Sequence, residues 1–136
     1  MKNYKVLAAA KKAQQQQKIP EDWYIPVDSY QDAANVMDVP LSCRLLNQTE
    51  AKITSNYDAT ALLERLKSRE WSVEQVTVAF CKRAAIAHQC VNCLTEIFFD
   101  EALARAKQCD DYLKKEGKPI GPFHGLPISL KVILNT

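Results

Sequence analysis

The chain has 136 residues, of which 47% are hydrophobic and 25% charged, and its formal net charge is +2. This length and composition suit one modest domain with a core, and the near-neutral balance gives no reason to expect a nucleic acid partner. Residues 6–10 are the longest apolar stretch near the start, too short for a signal-peptide core, and nothing suits a membrane span. We therefore expect a cytoplasmic protein with no membrane segment.

Residues 1–52 are predicted to form a helical and extended arm that lies over a larger body. Asn3 is a suitable N-cap for a helix over residues 3–18, which are rich in alanine, lysine and glutamine. Prolines, which fix the local backbone, then alternate with aromatic residues, which favour docking. These are Pro20, Trp23, Tyr24, Pro26, Tyr30 and Pro40.

Two helices are predicted in the next part of the chain. Asp58 is expected to cap a helix that runs to about Ser68. Ser72 and Gln75 have the spacing of a capping box for a second helix that ends near His88. In both segments the apolar residues recur at helical spacing, so each helix should bury one face.

A strand, a helix and a second strand are predicted after these helices. Residues 94–99, LTEIFF, are aromatic and β-branched, as is typical of a strand. Asp100 is expected to cap a helix that ends at Gly117, and residues 127–131, PISLK, read as the second strand. Strand, helix and strand in this order predict a βαβ unit, so the fold class is α/β and residues 53–136 form the start of its domain.

The loop before the second strand has the strongest bias in residue type. Glycine permits positive φ and close backbone approach, while proline stiffens the chain, so this segment is constrained beyond the needs of a connection. In the strand that follows, Ser129 and Lys131 share one face. Sites gather at the carboxyl ends of parallel strands, which makes Lys131 a candidate functional residue. The loop contains Gly117, Pro119, Gly121, Pro122, Gly125 and Pro127, including all three glycines of the chain.

Residues 121–131, GPFHGLPISLK, resemble the GPLHGxPxSxK stretch that introduces the catalytic lysine of the amidase signature family. Residues 53–66, 79–89 and 94–107 also resemble the opening of that family's domain, particularly in fungal acetamidase-like general amidases. The resemblance implies that the chain is an N-terminal portion, and therefore an incomplete opening, of the amidase signature α/β/α fold.

The resemblance also implies a chemistry: hydrolysis of a small linear carboxamide to a carboxylate and ammonia, with no cofactor or metal. In this family a serine attacks the amide, and a second serine, preceded by a cis peptide bond, relays its proton to the lysine. Motif matching gives that base role to Lys131, although Val132 stands where the family usually has aspartate. The family's serines lie in a downstream glycine-rich segment, so we expect the 136-residue chain alone to be inactive.

Two other candidate residues have simpler interpretations. His124 is expected to make a hydrogen bond that stabilises its turn. A zinc site built from His88, Cys90, Cys93 and Cys109 is conceivable, but reduced, mostly buried thiols are favoured for the five cysteines.

A non-enzymatic role is the alternative hypothesis. Two parallel strands would leave exposed edges and an unburied face, which favour association. A truncated product of this kind would act as a protein-interaction module or a homo-oligomer.

Overall fold

The computed structural model describes residues 3–130, which form six α-helices and no β-strand. Two short 3₁₀ turns, Glu21–Trp23 and Val27–Ser29, lie between the first two helices. None of the helices in this range is both long and apolar enough to cross a membrane. The helices are α1 (Tyr4–Gln17), α2 (Val39–Ser42), α3 (Gln48–Asn56), α4 (Ala59–Ser68), α5 (Val73–Val91) and α6 (Phe99–Glu116).

Three predicted N-caps are confirmed. The Asn3 side chain accepts a hydrogen bond from the Lys5 amide at 3.1 Å, and Asp58 accepts one from the Ala61 amide at 2.8 Å. In the capping box of α5, the Ser72 hydroxyl accepts from the Gln75 amide at 3.0 Å. The Gln75 side chain accepts from the Ser72 amide at 2.9 Å. Each cap satisfies amides that the first helical turn leaves without partners.

Other helix boundaries differ from the predictions. α6 begins at Phe99, before the predicted cap Asp100, and ends as expected at Gly117, whose φ is 69°. α2 and α3 were not predicted. α3 has its own capping box, formed by Asn47 and Glu50, and it runs across the boundary predicted between residues 52 and 53.

The strand predicted over residues 94–99 is wrong, and no βαβ unit is present within residues 3–130. The backbone of this segment finds side-chain partners rather than a neighbouring strand. The side-chain amide of Gln15 donates to the Leu94 and Thr95 carbonyls at 2.8 and 2.9 Å. The backbone amide of Leu94 donates to His88 Nδ1 at 3.1 Å. These contacts satisfy three backbone groups of Leu94 and Thr95 without a neighbouring strand.

Helix α5 is the centre of the packing. Of its 19 residues only Glu74, Gln75 and Val91 are exposed. α5 contacts α2, α3, α6 and the Glu21–Trp23 turn, so it joins the arm to the rest of the chain. A helix that is buried nearly all round belongs to a core rather than to a surface.

The arm docks on α5 through polar and aromatic contacts. The Gln89 side chain donates to the Trp23 carbonyl and accepts from the Ile25 amide, both at 3.0 Å. The Trp23 ring is buried, and its centroid lies 5.6 Å from that of Phe99. The predicted docking of Trp23 is confirmed, and Trp71 is also buried.

A partly buried ion pair joins α3 to α5. Lys82 Nζ lies 2.7 Å from Glu50 Oε1, and the two side chains are only 19% and 10% exposed. The other oxygen of Glu50 accepts from the Asn47 amide at 2.8 Å, so one carboxylate caps α3 and pairs with α5.

Replacing Lys82 with methionine is expected to destabilise the protein by about 3 kcal/mol, because the Glu50 carboxylate would keep its charge without its cationic partner. The measurement is the free energy of unfolding in urea. Lys11→Met is the matched control, since the Lys11–Glu96 pair is 35% and 47% exposed and should contribute under about 1 kcal/mol. Equal losses of unfolding free energy in the two variants would contradict a larger stabilising contribution from the Lys82–Glu50 pair.

Candidate functional site: the loop after helix α6

The glycine- and proline-rich loop is seated against the first turn of α5. Gly125 has a φ of 71°, in the left-handed region that favours glycine. A Cβ added there would lie 2.4 Å from Val73 Cγ2. Gly125 is therefore required both by its backbone conformation and by its close approach to α5.

Asp110 of α6 holds the first turn of α5 beside this loop. Its carboxylate accepts from the Val73 amide at 2.7 Å and from the Glu74 amide at 3.0 Å. The carboxylate thus satisfies two free amides at the positive end of α5. Sequence reasoning missed this residue. A usable signal exists, because Asp110 lies four residues after the buried Ala106 and so on the packed face of α6.

His124 is buried and makes the turn-stabilising hydrogen bond that was predicted. The Ile120 amide donates to its Nδ1 at 3.2 Å. Since Nδ1 accepts, the neutral imidazole carries its proton on Nε2. Nε2 is buried and has no hydrogen-bond partner among residues 3–130. Burial lowers the pKa of His124, Asp110 acts in the opposite direction, and Arg105 lowers it further.

Beyond the loop the chain runs to residue 130 without regular structure. The Leu126 amide donates to the Phe123 carbonyl at 3.2 Å, and Ile128, Ser129 and Leu130 are exposed. The second predicted strand, residues 127–131, is therefore not found as far as residue 130. Lys131, the predicted catalytic residue, lies outside the described residues, so its role stays a prediction.

The histidine and cysteines considered for zinc have other surroundings. His88 is buried and accepts a hydrogen bond from the Leu94 backbone amide. Cys93 is exposed, whereas Cys109 is buried. Within residues 3–130 no three histidine, cysteine or acidic side chains are grouped so that they could hold a metal ion. All five cysteines are free, and burial raises the pKa of the Cys81 thiol to about 11, which keeps it protonated at neutral pH.

Comparison with known proteins agrees with the resemblance of the loop motif. The family model described as Amidase matches residues 75–136. An amidase of Gibberella moniliformis is 44% identical over 98% of this chain and 26% of its own length. The acetamidase of Emericella nidulans is 43% identical over 95% of this chain and 23% of its own length. The chain belongs to the amidase signature family.

A solved structure of the family has the same backbone arrangement. Fatty acid amide hydrolase superposes with a TM-score of 0.76 and 36% identity, over 86% of this chain and 21% of that one. The helical arrangement within residues 3–130 is therefore one found in an amidase fold. The chain spans about a quarter of the length of the curated amidases that it matches.

Gly125→Ala is expected to destabilise the protein by about 3 kcal/mol, because it adds left-handed strain and a clash with Val73. Gly121→Ala is the matched control, since a Cβ at that position meets no atom within 4 Å. The control should change the free energy of unfolding by less than about 0.5 kcal/mol. If both variants unfold at the same urea concentration, the seating of the loop on α5 is not a constraint.

Stability is expected to fall as the pH decreases below about 6.5, the ordinary pKa of histidine. Burial lowers the folded-state pKa of both His124 and His88, so the unfolded state binds more protons in this range and is stabilised relative to the folded state. Unfolding in urea at pH 7.5 and pH 6.0 measures the effect. His124→Asn, whose Oδ1 can still accept the Ile120 amide, should reduce the pH dependence; an unchanged dependence would exclude His124 as a contributor.

Proposed function

We propose that this chain is the N-terminal portion of an amidase that hydrolyses small linear carboxamides to carboxylate and ammonia. Lys131 is its general base. The observation that carries the proposal is the GPFHGLPISLK motif at residues 121–131, in a chain that belongs to the amidase signature family. In this proposal residues 1–52 are an arm and residues 53–136 begin the amidase domain.

The seating of the loop supports a positioning role. Gly125 is held against Val73, and His124 closes the turn through the Ile120 amide. Gly125, His124 and Ile120 all lie within eleven residues of Lys131, so the two contacts constrain the backbone that leads to it. A catalytic group has to be held in a productive geometry, and a constrained loop on a helical scaffold favours this.

The proposed chemistry requires a neutral lysine. A free lysine has a pKa near ~10.4, whereas an effective base at neutral pH needs a pKa of roughly 7 to 8. A shift of about 3 units corresponds to about 4 kcal/mol against the charged ammonium, which burial and nearby positive charge can supply. The neutral amine then takes the proton that the second serine relays from the attacking serine.

Within the proposal the serines come from a segment of the amidase domain that lies outside these 136 residues. The purified 136-residue chain should therefore release no ammonia from acetamide above the level of a Lys131→Ala variant. Activity has to be tested in a longer polypeptide.

A chimaera tests the function directly. This chain would replace the matched region of the Emericella nidulans acetamidase, which is 43% identical to it. The chimaera should hydrolyse acetamide, and Lys131→Ala should lower kcat/KM by roughly 10² to 10⁴, the usual contribution of a general base. Ammonia release is the measurement.

Lys118→Ala is the matched control, because Lys118 is an exposed lysine at the start of the same loop. It should leave kcat/KM within about twofold of the unmodified chimaera, as surface substitutions usually do. A Lys131→Ala chimaera that keeps the activity of the control would exclude Lys131 as the base. A chimaera that folds but has no activity would exclude the proposed function of the chain.

A further inference from the structure

A large open groove lies between α5, α6 and the loop that follows α6. Its volume is about 1690 Å³. Its floor is formed by apolar parts of the two helices, including Phe80, Ala84 and Ala102, and residues 120–130 form one wall. Among residues 3–130, four of the residues that line it are charged: Lys18, Glu96, Glu101 and Arg105.

The rim of the groove carries large apolar side chains that are exposed. Phe98 is 51% exposed, and Phe123, Ile128 and Leu130 are 73%, 72% and 73% exposed. Single exposed apolar residues are ordinary, but several around one apolar depression mark an interaction surface. This surface is therefore expected to be covered when the protein functions.

The size and composition of the groove favour a polypeptide as its occupant. Small-molecule pockets have volumes of roughly 300 to 1,000 Å³ and enclose their ligand. This groove is larger and open, and the charged residues that line it within residues 3–130 comprise two basic and two acidic ones, so these residues give no net preference for a charged ligand. Apolar segments of a protein match it better than a metabolite does.

The lengths of the relatives indicate which polypeptide would occupy the groove. The chain corresponds to 23% of the Emericella nidulans acetamidase and 21% of fatty acid amide hydrolase, so most of each relative lies outside the matched region. We propose that the groove seats this remaining part of an amidase domain, and that the chain binds it even when it is supplied as a separate polypeptide. The inference rests on the proposed place of the chain within an amidase, but not on Lys131 or on turnover.

Co-expression tests the proposal. The tagged 136-residue chain would be produced together with the untagged remainder of the Emericella nidulans acetamidase, from which the matched 23% has been removed. A complex of one copy of each is expected after tag capture and gel filtration. The double variant Phe123→Ser with Ile128→Ser should recover at least about tenfold less remainder, because burial of two large apolar side chains is lost.

Met37→Ser with Leu41→Ser is the matched control pair. These residues are 76% and 58% exposed, as the groove pair is, but they do not line the groove. The control should recover as much remainder as the unmodified chain. Because all four side chains are exposed, far-ultraviolet circular dichroism of the isolated variants should match that of the unmodified chain.

A second measurement uses the fused chimaera and does not depend on assembly in trans. There the groove variant should lower the melting temperature by several degrees, whereas the control pair should not, and acetamide hydrolysis is not needed for this reading. Equal effects of the two pairs in both experiments would overturn the proposal. It would also be overturned if the chain alone formed a dimer in sedimentation velocity that the groove variant abolished, since the occupant would then be a second copy.

Discussion

The burial of α5 on almost all sides is the constraint that determines how the other elements pack. Its buried residues, taken at 100° per residue, cover roughly 260° of the helix circumference. One neighbouring helix could cover only part of this surface, so α2, α3, α6 and the Trp23 turn all pack against it. Ala79 and Ala85, both fully buried, allow these neighbours to approach closely. The groove runs along Phe80 and Ala84, which lie within this arc beside the buried Val73 and Thr77, so the described neighbours cover that part of α5 only in part.

Within residues 3–130, side chains rather than a β-sheet satisfy several polar backbone groups around this core. Gln89 pairs with the arm, Gln15 with residues 94 and 95, and Asp110 with the amides at the start of α5. Each of these contacts joins elements far apart in sequence, and each would leave a partly buried backbone group without this partner if lost. The arm is therefore part of the packed structure, and α3, which crosses residues 52 and 53, links it continuously to the helices that follow.

Helix caps and turns could be predicted from the sequence where the interacting residues lie within a few positions of each other. The caps at Asn3, Asp58 and Ser72 were predictable because a cap and its amide are two or three residues apart. The turn of His124 was predictable for the same reason. The segment 94–98 was not, because its aromatic and β-branched residues have strand propensity, and its conformation depends on Gln15, almost 80 residues away. The role of Asp110 in holding the first turn of α5 was missed for the same reason, since its partners Val73 and Glu74 lie on another helix. The Asn47–Glu50 capping box was a local signal that was overlooked.

Residues 120–130 are involved both in the proposed catalytic role of Lys131 and in the proposed docking of the remaining amidase domain. These residues form one wall of the groove and lead directly to the lysine of the motif. A lysine becomes a base at neutral pH only where burial or positive charge disfavours its ammonium form. The side chains just before it, from Ile128 to Leu130, are exposed, so the helices described here do not bury this end of the loop. A polypeptide seated in the groove would cover it. Docking of the remaining domain and activation of the base would then be one event, which explains why a loop held so firmly by Gly125 and His124 should end in an uncovered apolar rim.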